Sequence, residues 1–148
     1  TIAVATNQSG IGRKYFTVQD LTEMHAKMHR LAVQAGGTID GIWFCPHTAA
    51  DNCDCRKPKP GMIYDILERF KADPAKTWLV GDSLRDLQAM HEAGGKTALV
   101  MTGKGKKTLS QQEKELPENT QIFDSLLAFS QYIMHEAAQD RADGQANP

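Results

Sequence analysis

The chain has little cysteine, few aromatic rings, no excess of either charge and no long hydrophobic run. Seventeen Lys and Arg against eighteen Asp and Glu leave a formal net charge of −1 over 148 residues. That balance removes the general electrostatic pull that draws basic proteins to nucleic acid or membrane surfaces. No apolar stretch comes near the roughly 20 residues needed to cross a bilayer. Only three cysteines occur, an odd number, and all lie between positions 45 and 55. That clustering argues against a secreted disulfide framework, so a reducing cytoplasm is the expected compartment. No repeat or low-complexity segment is visible. The chain also lacks an initiator Met and opens on TIAVATNQ, already an apolar strand in progress, which predicts a preceding segment in the same domain. What remains is an ordinary globular composition, 41% hydrophobic and 24% charged, enough for one domain core.

Short apolar, β-branched runs alternate with segments of helical period. TIAVAT (1–6), IDGIWF (39–44), TWLVGD (77–82), KTALVM (96–101) and a short stretch at 121–123 predict strands. Thr17 with Asp20 predicts a capping box, and Leu21, Met24, Met28, Leu31, Ala32 and Ala35 recur at helical spacing until Gly36-Gly37 stops them. That Met-rich stripe reads as core. Further helices are expected from about Met62, with Ile63, Ile66, Leu67 and Phe70 on one face, over 83–93, and from Ser125 to about Ala138. The alternation predicts an α/β fold, a parallel sheet covered by helices on both faces. One domain over 1–138, incomplete at its start, and a disordered tail over 139–148 are expected. In such sheets ligands bind beyond the carboxyl ends of the strands, which predicts that Thr6-Asn7, the loop after Phe44 and Asp82 are neighbours.

The densest chemical signal is CPHTAADNCDCRKPKPGM, residues 45–62. Cys45, His47, Cys53 and Cys55 offer four soft or borderline ligands within eleven residues, enough to close a tetrahedral site of the kind zinc prefers. With all four positions taken by protein, such a site is structural. The loop has few apolar residues to hold it, so ligation would fold it. A Cys53–Cys55 disulfide is disfavoured because a one-residue spacer strains the bond geometry. Arg56-Lys57-Pro58-Lys59-Pro60-Gly61 follows at once. Prolines limit the backbone and let a lysine be aimed, while a fixed Lys and a forked Arg suit phosphate. Taken alone, Lys-Pro-Lys-Pro also describes a solvated linker. Thr6-Asn7-Gln8-Ser9, at a strand end, offers a hydroxyl, amides and backbone N–H donors. Asp82, after a buried strand, suits a magnesium carboxylate, although Asp82 or Ser83 could equally cap the next helix.

Thr and Asn after one strand, Lys-Pro before a helix, and Gly81-Asp82-x-x-x-Asp86 after another strand, in that order, resemble the haloacid dehalogenase superfamily of phosphohydrolases. TNQSGIGR, CPH…CDCRKPKPGM, VGDSLRD and the later TGKG narrow the resemblance to the D-glycero-D-manno-heptose-1,7-bisphosphate 7-phosphatase family, from Thr1 to about Gly105. The resemblance implies a Rossmann-like fold without a large cap domain, and a monomer. It implies a Mg²⁺-dependent cytoplasmic phosphatase of lipopolysaccharide heptose synthesis, acting on a phosphorylated sugar through an aspartyl-phosphate. Thr6 and Asn7 would hold the transferring phosphoryl group, with Gln8 and Ser9 also against substrate. Lys57 would neutralise phosphoryl charge, Arg56 would recognise substrate, Asp82 would ligate Mg²⁺ with support from Asp86, and Cys45, His47, Cys53 and Cys55 would carry structural Zn²⁺. Histidinol-phosphate phosphatases share the superfamily and a similar clasp; Gly61, Met62 and TGKG favour the sugar substrate. A non-catalytic zinc-stabilised binding module is the reading from another class.

Smaller features carry less. TGKGKKT does not meet the Walker spacing, and Lys104, Lys106 and Lys107 read either as contacts to a second phosphate or as a solvated loop. His25 and His29 stand four apart with no further ligand near in sequence, which favours an exposed helix face; His91 and His135 have no evident partner. The family's chemistry needs an Asp-x-Asp pair, nucleophile and acid–base, and no Asp-x-Asp occurs in these 148 residues. The 148-residue polypeptide by itself is therefore expected to release no phosphate from a sugar bisphosphate and to bind Mg²⁺ weakly, which a phosphate-release assay checks.

Overall fold

In a computed structural model of the chain, residues 1–145 are described, with side chains described through 139. Two compact units divide at Asp73 and Pro74. The first contains strand β1 (Ala3–Asn7), a single-turn helix α1 (Ser9–Gly12), helix α2 (Val18–Gln34), strand β2 (Gly41–Cys45) and helix α3 (Gly61–Phe70). The second contains strand β3 (Trp78–Gly81), helix α4 (Leu84–Glu92), strand β4 (Lys96–Val100), helix α5 (Gly105–Gln112), strand β5 (Gln121–Phe123) and helix α6 (Leu126–Gln145).

In the first unit β1 and β2 pair in parallel, Ala3 opposite Gly41 and Asn7 opposite Cys45. This register sets the end of β1 beside the start of the cysteine loop, and Gln8 N continues the ladder to Cys45 O at 2.7 Å. The capping box at the start of α2 forms as the sequence predicts. Thr17 N donates to Asp20 Oδ2 at 2.7 Å, and Asp20 N donates back to Thr17 Oγ1 at 3.2 Å. Gly36, in the left-handed region at φ +81°, stops the helix. The expected core stripe of α2 is a correction: Leu21 is buried, but Met24 and Leu31 are about half exposed. The face of α3 does pack, with Met62, Ile63 and Leu67 buried and Phe70 edge-on to Trp43. His25 packs edge-on against Phe44, a ring contact that makes it part of the sheet cover rather than half of a metal pair with His29.

In the second unit β3, β4 and β5 form a three-stranded parallel sheet in chain order. The expected parallel pairing is present, distributed over two sheets. The central strand β4 is the apolar core, with Ala98, Leu99 and Val100 buried, and α4 covers it with Leu84, Leu87, Ala89 and Met90. Buried Thr97 keeps its hydroxyl paired with Thr120 Oγ1 at 2.8 Å, as a buried polar group must. Trp78 meets Phe129 and Tyr132 of α6 edge-on, and Phe123 meets Phe129 edge-on and Tyr132 at a tilt. Helix α6 runs to Gln145, so the tail expected to be disordered from 139 is helical that far, and residues 146–148 lie outside those described.

Candidate metal clasp and phosphoryl site

The residues predicted for the site fall in both units. Thr6, Asn7, Gln8, Ser9, the four sulfur and imidazole ligands, Arg56 and Lys57 belong to the first; Asp82 and Asp86 belong to the second.

Cys45 is the last residue of β2 and is fully buried, which anchors one ligand to the sheet. The chain then makes a 3₁₀ turn at Ala49–Asp51. Asp51 Oδ2 accepts from Thr48 Oγ1 at 2.7 Å and Thr48 N at 2.6 Å, two bonds that hold its carboxyl below the usual range. Asn52 enters the left-handed region at φ +46°, and the chain reverses to present Cys53 and Cys55 to Cys45 and His47. The donor atoms of all four residues lie within 4.8 Å of one another. Cys45 Sγ is 3.6 Å from both His47 Nδ1 and Cys53 Sγ, Cys55 Sγ is 3.3 Å from His47 Nδ1, and Cys53 and Cys55 sulfurs stand 3.5 Å apart. Ligands on a tetrahedral centre with bonds of about 2.0–2.3 Å stand about 3.3–3.8 Å apart, and these four separations fall in that range. The three thiols are unbridged. Burial pushes up both Cys53 and Cys55. At Cys53, hydrogen bonds from the Cys55 and Cys45 thiols and the Arg56 N–H outweigh it and bring the thiol down to about 7. At Cys55 the same sulfur network works the other way, and the thiol is pushed up to about 12. One of the pair holds a proton that the other gives up.

The cationic run leaves this clasp and meets the end of β1. Arg56 Nη1 donates to His47 O at 3.2 Å, folding the guanidinium over the loop. Lys57 is buried, 7% exposed, and its Nζ donates to Ala5 O at 2.6 Å. Its peptide N–H and C=O are both bonded to the Asn7 side chain. Gln8 Nε2 donates to Thr6 Oγ1 at 3.0 Å, so the threonine hydroxyl keeps its own hydrogen for an acceptor. Lys59 instead turns back onto Asp54 and the Asn52 carbonyls. Gly61 starts α3 where a side chain would press on Asp54 O, at 2.5 Å from an added Cβ.

In the second unit Asp82 follows β3 directly. Its Oδ2 accepts from Lys104 N at 2.9 Å, and its own C=O accepts from Thr108 Oγ1 at 2.8 Å. Ser83 is the N-cap of α4, but its hydroxyl donates to Asp86 Oδ2 at 2.6 Å instead of taking a backbone N–H. Neither Asp82 nor Ser83 caps α4 by side chain, and Asp82 meets the start of α5. The TGKG stretch is thereby explained. Gly103, at φ +58°, lies so close to Asp82 Oδ2 that a Cβ would collide with it, and one at Gly105 would collide with Val100 O. Lys104 contributes its peptide N–H to the site. Gly103 and Thr108 were missing from the residues predicted to matter; the signal was two glycines flanking one residue, just after a buried strand and before a helix.

A metal ion in the clasp takes thiolates, so binding expels the Cys55 proton at any pH below about 12 and the Cys53 proton as well below about 7. Affinity for a soft divalent ion is expected to fall at least about tenfold per pH unit of acidification, more steeply below neutrality. Chelator competition over a pH series measures it. Separately, Gly103→Ala is expected to lower stability by about 1–3 kcal/mol through left-handed strain and the collision with Asp82, read as a lower denaturant midpoint.

Comparisons with known proteins bear on the family. A family model described as HAD-hyrolase-like matches residues 54–129. The D-glycero-beta-D-manno-heptose-1,7-bisphosphate 7-phosphatase of Neisseria meningitidis serogroup A is 76% identical over 143 residues, covering 97% of this chain and 76% of that protein. The enzyme of the same name from Bordetella bronchiseptica is 48% identical over 137 residues, covering 93% and 75%. A crystal structure of D,D-heptose 1,7-bisphosphate phosphatase from B. bronchiseptica, complexed with magnesium and phosphate, superposes with a TM-score of 0.88 over 92% of this chain and 75% of that one. The chain thus spans about three quarters of these relatives' length. With the HAD-like fold, the four-ligand clasp and Lys57 at the end of β1, this degree of identity means that the chain belongs to the D-glycero-beta-D-manno-heptose-1,7-bisphosphate 7-phosphatase family of HAD-like hydrolases.

Proposed function

We propose that the chain serves a Mg²⁺-dependent phosphatase that removes the 7-phosphate of D-glycero-D-manno-heptose 1,7-bisphosphate in the synthesis of lipopolysaccharide heptose. It works in the cytoplasm as a monomer, without nucleic-acid or membrane partners. The observation that carries this reading is the buried Lys57, held by the β1 backbone at Ala5 O beside Thr6. A phosphomonoester dianion approaches an acidic nucleophile only where fixed cations and N–H or O–H donors cancel its charge. Thr6 donates its hydroxyl to the phosphoryl group, Lys57 supplies the positive charge, and Arg56 with Gln8 and Ser9 recognises the rest of the substrate.

The clasp holds zinc. Three sulfurs and one imidazole at tetrahedral spacing match that ion's preferred donors, and with no coordination site left open its role is structural. Asp82 offers magnesium a hard carboxylate oxygen, Oδ1, while Oδ2 is engaged by Lys104 N, and Asp86 supports the site through Ser83. Magnesium, when bound, neutralises charge on the phosphoryl oxygens. The aspartyl-phosphate route also needs a nucleophilic Asp of an Asp-x-Asp pair, which these 148 residues do not contain.

Steady-state assays of the natural full-length polypeptide with heptose bisphosphate and histidinol phosphate test the reading. The sugar bisphosphate is expected to be the far better substrate, with phosphate released from C7, and Lys57→Met is expected to lower kcat/KM by about 10²–10³-fold. Faster turnover of histidinol phosphate, or release from C1, would show the reading to be wrong.

A further inference from the structure

Asn7 sits beside Thr6, where an amide donor to the phosphoryl group is expected, yet its side chain faces the main chain of Lys57. Nδ2 donates to Lys57 O at 2.9 Å, and Oδ1 accepts from Lys57 N at 3.1 Å. The amide thus makes, across a separation of fifty residues, the paired N–H···O bonds that neighbouring strands exchange. Ala5 O, two residues earlier on β1, receives the Lys57 ammonium at 2.6 Å. Three ties from one strand end therefore fix one lysine at its N–H, its C=O and its Nζ. Lys57 is one of only three buried polar or charged residues among those described, so its placement depends on these ties. One Nδ2 hydrogen goes to the Lys57 carbonyl and Oδ1 is taken by the Lys57 N–H, so the amide's orientation is set by the Lys57 main chain.

We propose that Asn7 is a positioning residue that acts through Lys57, and that it does not grip the phosphoryl group with its own amide. This rests on the reading above, in which the Lys57 ammonium meets the substrate phosphate. The consequence is energetic coupling: once the ammonium is gone, Asn7 has nothing left to position.

A double-mutant cycle in the natural full-length polypeptide decides it, with kcat/KM for heptose bisphosphate and the inhibition constant of inorganic phosphate as readouts. Asn7→Ala alone is expected to lower kcat/KM by up to about 10²-fold, the scale of a misplaced reacting group. In a Lys57→Met background the same substitution is expected to change both readouts by less than about twofold. A further tenfold loss there, in turnover or in phosphate affinity, overturns the proposal, because a direct ligand acts whether or not the lysine is present. A simple structural lesion would likewise persist in that background. If Lys57→Met leaves kcat/KM unchanged, the reading of Lys57 itself fails and the inference falls with it. Should Asn7→Ala fail to fold, judged by melting and metal content, Asn7→Ser replaces it. That variant is neutral and adds no charge beside the phosphate, and the same criterion of additivity applies.

Discussion

Four donor atoms crowded to within 4.8 Å of one another are the constraint from which the rest of the first unit follows. Three sulfurs and an imidazole attract each other only weakly, and the loop between them buries little apolar surface. The exposed Lys59–Asp54 pair on its rim contributes about 0–1 kcal/mol at most. A metal ion bound there would supply the missing cohesion, and its binding energy would become folding energy for the segment. Because Cys45 belongs to β2 and Cys55 precedes Arg56 directly, closing the clasp delivers the cationic run to the end of β1. Gly61, tight against Asp54 O, then starts α3 without a gap.

The two charges proposed for the site share a mode of support. Lys57 rests on the Ala5 carbonyl, and Asp82 takes the Lys104 peptide N–H. Main-chain dipoles are fixed by the strands and turns that carry them, so they orient a charge without having to reorganise when substrate or metal arrives. The cost appears as restricted sequence. Gly103 has to be glycine because of both its φ and the adjacent carboxylate, and Asn7 is shaped to pair with a backbone.

Much of this was legible in the sequence, and the legible parts are local. The clasp ligands fall within eleven residues, so their spacing alone announces a site. Thr17 and Asp20 cap α2 across three residues, and Gly36 ends it. Apolar runs marked every strand. The α2 stripe misled because periodicity reports which face is apolar and says nothing of what packs against it; Met24 is half exposed. The glycines of TGKG were visible, but their partner Asp82 lies some twenty residues earlier.

By itself the sequence determined where the five strands and four of the helices lie and which side chains are candidates for metal and phosphate, since both depend on residue type and near-neighbour spacing. Only the tertiary structure decided what each side chain faces: Asn7 toward the Lys57 backbone, the Lys57 ammonium toward Ala5 O, Asp82 toward Lys104 N. Those pairings span from 22 to 52 residues. They arise from strand register and loop closure, and residue order alone does not specify either.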